Sequence, residues 1–265
     1  MLDFQYKDSY GVKDLEEIVR ILRAPGGCPW DAEQTHESIR RNFLEEAYEV
    51  AEAIDEKSGA HLREELGDVL LQVIFHARIE EEAGAFNLDD VADGACKKLI
   101  FRHPHVFGQT EVSGTDDVLR NWEELKRREK GQATHTDALD SVARSLPALW
   151  RAEKVQAKAR KAGFDWPEIS GALDKLSEET GELRQAVAGQ GDPVEELGDL
   201  LFAAVNVARF LHTDPEDALT RATDKFITRF RRVETAARTQ GKATGDMTLE
   251  ALDRLWDAAK AEEQD

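Results

Sequence analysis

The sequence predicts an all-α protein built as two versions of one helical unit, and three observations carry that expectation. No segment of the 265 residues sustains the apolar–polar alternation of a strand. Apolar residues recur instead at intervals of three and four, against a background rich in Ala, Leu, Glu, Lys and Arg. The phrase EELGD is written twice, at Glu64 to Asp68 and at Glu195 to Asp199, each copy leading into an apolar run that closes in Ala-Arg, VLLQVIFHAR and LLFAAVNVAR.

The elements follow in order. Val12, Leu15, Ile18, Val19 and Leu22 share one helical face, and RAPGGCPWD ends that helix through Pro25, Gly26, Gly27 and Pro29. Asp31 or Thr35 is placed to cap the next helix, whose face is Ile39, Phe43, Leu44, Ala47, Val50, Ala51 and Ile54, broken by Ser58 and Gly59. A third helix is expected from about His61 to Ala83, stopped by Gly84. A fourth, opened by Asp89 or Asp90, runs to Pro104, and a fifth covers Val118 to Arg128. The polar, aperiodic KGQATHTD, Lys130 to Asp137, is the expected linker, giving domains at 1–132 and 138–265. The order then returns: a helix through Leu146, Leu149 and Val155, the loop GFDW, a helix holding EETGEL, the break GQGDP, the second EELGD helix, a helix with DKFITRF, and a last one with Leu252, Leu255 and Trp256.

Composition narrows the function. A formal charge of −19 disfavours a broad grip on nucleic-acid phosphates, which requires a basic surface. Cys28 and Cys96, the only cysteines, have no CxxC spacing, so neither a disulfide framework nor a sulfur-ligated zinc site is expected, and a reducing cytoplasm fits. The charged N-terminus lacks the apolar core of a signal peptide, and the longest apolar runs fall short of the roughly 20 residues of a bilayer crossing. A soluble cytoplasmic protein is expected.

The chemistry lies in acid pairs. Residues three apart on a helix are neighbours on one face, so Glu46 pairs with Glu49, Glu65 with Asp68, Glu179 with Glu182, and Glu196 with Asp199. If the helices of each half pack antiparallel, four carboxylates converge in each. Like charges about 5 Å apart at an effective dielectric near 20 repel by roughly 3 kcal/mol per pair, so such a cluster calls for a cation. All-oxygen ligation selects Mg²⁺ or Mn²⁺ over zinc. The alternative, that ExxE and ExxD are solvated faces, is the common fate of any single pair; repetition beside strongly apolar stretches favours a metal site. Gly67 and Gly198 cost about 1 kcal/mol each relative to alanine inside a helix, which a close approach by a neighbouring helix or ligand would justify.

Downstream of the acids each half places Lys and Arg at i and i+4, Lys98 with Arg102 and Lys225 with Arg229, a ridge suited to a phosphate chain or, equally, to pairing with surface acids. Trp122 and Trp256 follow, and Trp30 and Trp166 precede the acids; each is either a stacking surface for a base or part of the core. His103 and His105 flank Pro104 and read as structural. A di-iron bundle would need ExxH on two helices, and only Glu33 to His36 has that spacing.

These segments together resemble the MazG family of nucleoside triphosphate pyrophosphohydrolases in its tandem two-domain form. GCPWD, FLEEAYEV, EELGDVLLQV, RHPHVF, SLPALWRAEK, GFDW, EELGDLLFAAVN and KFITRFRRVE match in order over nearly the whole chain. The resemblance implies an all-α homodimer whose helices combine into four-helix-bundle-like units, using Mg²⁺ to convert NTPs or dNTPs to the monophosphate and pyrophosphate. It makes Glu179, Glu182, Glu196 and Asp199 the catalytic metal ligands, and Lys225, Arg229 and Trp256 the nucleotide contacts. By repeat alignment Glu46, Glu49, Glu65 and Asp68, with Lys98, Arg102 and Trp122, occupy the equivalent places. Some members carry a Lys four residues before the second-pair Glu; this chain has Asp192 and His61 there. The expected mechanism is attack of an activated water at the α/β linkage, with the first Glu of a pair taking its proton and Lys225 and Arg229 balancing the leaving pyrophosphate. Competing readings are a restricted relative, a dUTP or phosphoribosyl-ATP pyrophosphohydrolase, and a non-catalytic module that senses metal or nucleotide.

Overall fold

The computed structural model describes residues 4–129 and 131–261. Lys130, the first residue of the expected linker, and the first three residues of the N-terminus lie outside the described residues. Among those described there is no strand, and no helix is long and apolar enough to cross a membrane. The chain divides into two compact units between Lys126 and Arg127.

The first unit holds α1 (Val12–Arg23), α2 (Pro29–Glu33), α3 (His36–Asp55), α4 (Gly59–Glu82), α5 (Leu88–Arg102), α6 (Pro104–Phe107) and most of α7 (Thr115–Glu129). Helices α3 and α4 are joined by three residues and pack along each other as an antiparallel hairpin, with α1 laid against α4. Thr35 caps α3, its Oγ1 accepting from the Ser38 amide at 3.3 Å, and Ser58 caps α4 in the same way toward His61. Asn87 caps α5, two residues before the first of the expected aspartates, because its Oδ1 accepts from the Asp90 amide while Asp90 returns the bond. The core is Val19 of α1, Ile39 of α3, and Ile74 and Phe75 of α4. Arg23 lies over Phe75 at 5.2 Å, pairs with Glu82 at 2.8 Å, and donates to the Asp31 and Gln34 carbonyls, which fastens the Gly-rich loop and α2 to α4.

The second unit holds α8 (His135–Asp140), α9 (Ala148–Lys161), α10 (Ile169–Val187), α11 (Pro193–Phe210), α12 (Pro215–Thr239) and α13 (Leu249–Ala261). Helices α10 and α11 form the second hairpin, α9 packs on α11, and α13 packs on α12. Small residues dominate its buried positions: Ala172, Ala186, Ala203, Val205, Val233, Ala237 and Ala259. Helix α8 occupies part of the stretch expected to be linker, because Thr134 and Asp137 form a reciprocal cap at 3.0 and 2.7 Å that starts a helix in a polar sequence.

Candidate active site

Each hairpin brings carboxylates from two helices to one place. In the first unit, ligand atoms of Glu46 and Glu49 on α3 and Glu65 on α4 all lie within 4.8 Å of one another. In the second, Glu179 on α10 joins Glu196 and Asp199 on α11 within the same limit. The fourth acid of each expected quartet stands just beside its trio, and it is a different member in each half. Asp68 repels Glu46, and Glu182 is hydrogen-bonded to Glu179.

The acids are held against their own electrostatics. Burial, then the charges of Asp68 and Glu49, push the Glu46 carboxyl up; burial and Glu49 do the same to Glu65. The hydrogen bond to Glu179 and burial raise Glu182. Glu65 and Glu179 are both buried, which concentrates the repulsion in low dielectric. This donor set, all oxygen and crowded, fits a hard divalent cation and fits no softer metal as well.

Each trio has a basic side chain already against it, from opposite helices of the hairpin. His61 bridges Glu56 at 2.9 Å and Glu65 at 3.2 Å, and the bond to Glu56 raises its pKa. Lys175 bridges Glu178 and Glu179, both at 2.7 Å, and is pushed up by those bonds. His61 stands in the sequence as a departure from the family pattern, and Lys175, one turn before Glu179, carries a visible i,i+4 signal.

Glu179 and Asp199 of the second trio border a cavity of about 640 Å³ whose walls also include Gln156, Trp166, Lys175 and Asn206. Its floor is tied down by Arg209, the buried end of the apolar run, which holds Asp165 of the GFDW loop at 2.5 and 2.9 Å and Asn206 at 2.6 and 3.0 Å. Neither this arginine nor Asp165 was singled out from sequence; both apolar runs ending in Ala-Arg was the signal.

Lys225, Arg229 and Trp256 are not among the walls of that cavity. Arg229 lies 5.9 Å from the Trp256 ring, and Arg102 lies 5.7 Å from Trp122, so an Arg–Trp pair recurs in both units. In the first unit Lys98 is exposed, whereas Arg102 is buried beside Trp122. His103 accepts its structural role, joined to the Leu99 carbonyl at 2.6 Å between α5 and α6. His36 is bound to His76 and Glu80, which ties α3 to α4 and leaves it no part in a di-iron motif with Glu33.

The tight-packing explanation for the EELGD glycines is overturned within the chain. A Cβ added to Gly67 or Gly198 would meet no heavy atom within 4 Å. Close approaches occur instead at Gly27 and Gly108, against nearby backbone carbonyls, and at Gly171, where a Cβ would lie 2.3 Å from Trp166 Cδ1.

The profile of the MazG nucleotide pyrophosphohydrolase domain matches residues 34–107 and again 169–233, each match enclosing one hairpin and its trio. The chain is 44% identical over 251 residues to a nucleoside triphosphate pyrophosphohydrolase/pyrophosphatase of Thermotoga maritima, covering 94% of this chain and 95% of that one. It is 44% identical over 253 residues to a nucleoside triphosphate pyrophosphohydrolase of Escherichia coli K12, covering 94% and 96%. It is also 48% identical over 250 residues to an uncharacterised Bacillus subtilis protein, YabN, covering 93% of this chain and 51% of that one.

Proposed function

Because the chain belongs to the MazG nucleotide pyrophosphohydrolase family, we propose that it cleaves NTPs and dNTPs to the monophosphate and pyrophosphate with Mg²⁺ or Mn²⁺ held by its acid trios. The observation that carries this reading is the convergence of Glu179, Glu196 and Asp199 within 4.8 Å, with Glu179 and Asp199 in the wall of a cavity of about 640 Å³. A divalent cation there would polarise phosphate oxygens and make a water more acidic.

The residues divide the remaining work. Glu182 stands outside the trio beside Glu179, and Glu179 is already engaged by Lys175, so Glu182 is the acid left over to take the proton of the attacking water. Lys175, in the cavity wall beside Glu179, is placed to balance charge on the leaving pyrophosphate once it leaves Glu179, with Lys225, Arg229 and Trp256 contacting the nucleotide from outside that cavity. The first trio, Glu46, Glu49 and Glu65 with Asp68, supports a second metal site, with Lys98, Arg102 and Trp122 in the corresponding roles.

A second copy of the chain is part of this reading. Leu99 and Phe101 on α5, and Leu219, Phe226 and Ile227 on α12, are exposed apolar side chains of a kind that a homodimer would cover. Both cysteines are free, in keeping with a reducing cytoplasm.

Pyrophosphate release from a panel of NTPs and dNTPs, with Mg²⁺ and with a chelator, tests the proposal. Metal-dependent release from several bases supports it, release from dUTP or phosphoribosyl-ATP alone favours a restricted relative, and binding without release favours a sensor. A Glu49→Ala, Glu182→Ala double variant that hydrolyses at the wild-type rate would refute the site.

A further inference from the structure

Resting on the reading that the second unit hydrolyses triphosphates, we propose that Gln156 is the residue that reads the base, with Trp166 as the surface on which the base stacks. Gln156 is only 6% exposed, yet it stands in the wall of the cavity that Glu179 and Asp199 also border. Its Nε2 donates to the Phe202 carbonyl at 2.8 Å, which fixes the orientation of the amide. The other end, Oε1, is buried with no hydrogen-bond partner. Buried acceptors without a donor are rare, and because Gln156 borders a roomy cavity, a molecule held there is a source from which a donor could reach in.

The surroundings fit a nucleoside whose phosphates reach the acids. The cavity volume of about 640 Å³ lies in the range of small-molecule sites. The Trp166 indole lies against the bare backbone of Gly171, a notch in α10 that a Cβ would fill. Asn206 spends its oxygen on Arg209 and so keeps its amide hydrogens to donate. In the repeat, the position of Asn206 is taken by Phe75, which packs with Val19, Ile39 and Ile74 to make solid core. The polar wall is therefore a property of the second unit, and the base subsite is assigned there.

Every natural base carries at least one N–H on its Watson–Crick edge, so a lone acceptor admits them all and penalises a base with none. The test compares ATP with purine riboside 5′-triphosphate, which lacks the amino group, by pyrophosphate release. Wild-type protein should show a KM at least about tenfold higher for the analogue, with kcat little changed. Gln156→Met should bring the two substrates to within about twofold by raising the KM for ATP. Equal handling of the two by the wild type overturns the assignment, and so does a Gln156→Met protein that keeps the wild-type ratio, the pattern of a merely structural role. If the variant does not fold, the wild-type pair of substrates still decides. Absence of pyrophosphate release from every triphosphate would instead overturn the proposed function itself.

Discussion

Removing the partner of the buried Arg209 is the perturbation whose size the structure fixes best. Asp165→Ala takes away two of its hydrogen bonds, at 2.5 and 2.9 Å, from a pair whose side chains are 8% and 15% exposed. Stranding one member of a buried pair costs roughly 3–5 kcal/mol. Asn206 keeps two bonds to the guanidinium, so the lower figure applies, about 3 kcal/mol. In a unit of this size each kcal/mol moves Tm by roughly 3–4 °C, so the second unit should melt about 10 °C lower. Scanning calorimetry of the full chain reads this directly, and the transition of the first unit should stay in place. The double variant Asp165→Leu, Arg209→Met, which leaves no buried charge, should recover most of the loss. A fall of less than about 2 °C for Asp165→Ala, or a double variant no better than the single one, would refute the reasoning.

Further outcomes follow from the same geometry. Glu179→Gln should lower Mg²⁺-dependent pyrophosphate release by at least about 100-fold, more than the loss typical of groups that only orient a metal ligand, and steady-state kinetics check it. Glu46 is pushed above its ordinary 4.5, so its ionisation disfavours the folded state; the penalty is absent at low pH and complete once pH has risen through the folded value. In metal-free protein Glu46→Gln should therefore be more stable than wild type at pH 7, the advantage shrinking as pH falls toward the carboxylate range, and a thermal melt series with chelator reads it. His76 is pushed down, by burial and then by His36, so the stability of its neutral form is present above about 6.5 and lost as pH falls through the lowered folded value. His76→Leu should melt with a shallower loss between neutral and mildly acid pH than wild type. Gly198→Ala meets no atom within 4 Å and should stabilise the free chain by up to about 1 kcal/mol in denaturant titrations, unless a second copy packs on that face.

The helices were legible because periodicity and caps act locally. Thr35 and Ser58 mark two starts, and the apolar faces of α1, α3 and α4 match the buried Val19, Ile39 and Ile74. The pairing of acids was legible for the same reason, since i,i+3 spacing is a helix property and a short connection dictates an antiparallel neighbour. What sequence left open was which three acids close up. Spacing cannot weigh the hydrogen bond of Glu182 to Glu179 against the pull of Lys175, and those contacts differ between the halves. Asp165, Arg209 and Gln156 were hidden because their meaning is tertiary: a loop aspartate answers an arginine 44 residues away, and a glutamine answers a carbonyl 46 residues away. Gly67 and Gly198 looked like packing positions by their cost in a helix, but cost alone does not say which neighbour, or which copy, receives the benefit.

The claim on which the mechanism rests is that two helices of a hairpin present a hard-metal site. Anomalous diffraction from crystals soaked in Mn²⁺ tests it most directly. The account predicts a peak bounded by oxygens of Glu179, Glu196 and Asp199, and a second at Glu46, Glu49 and Glu65. Crystals saturated with Mn²⁺ that show no peak at either trio would contradict it.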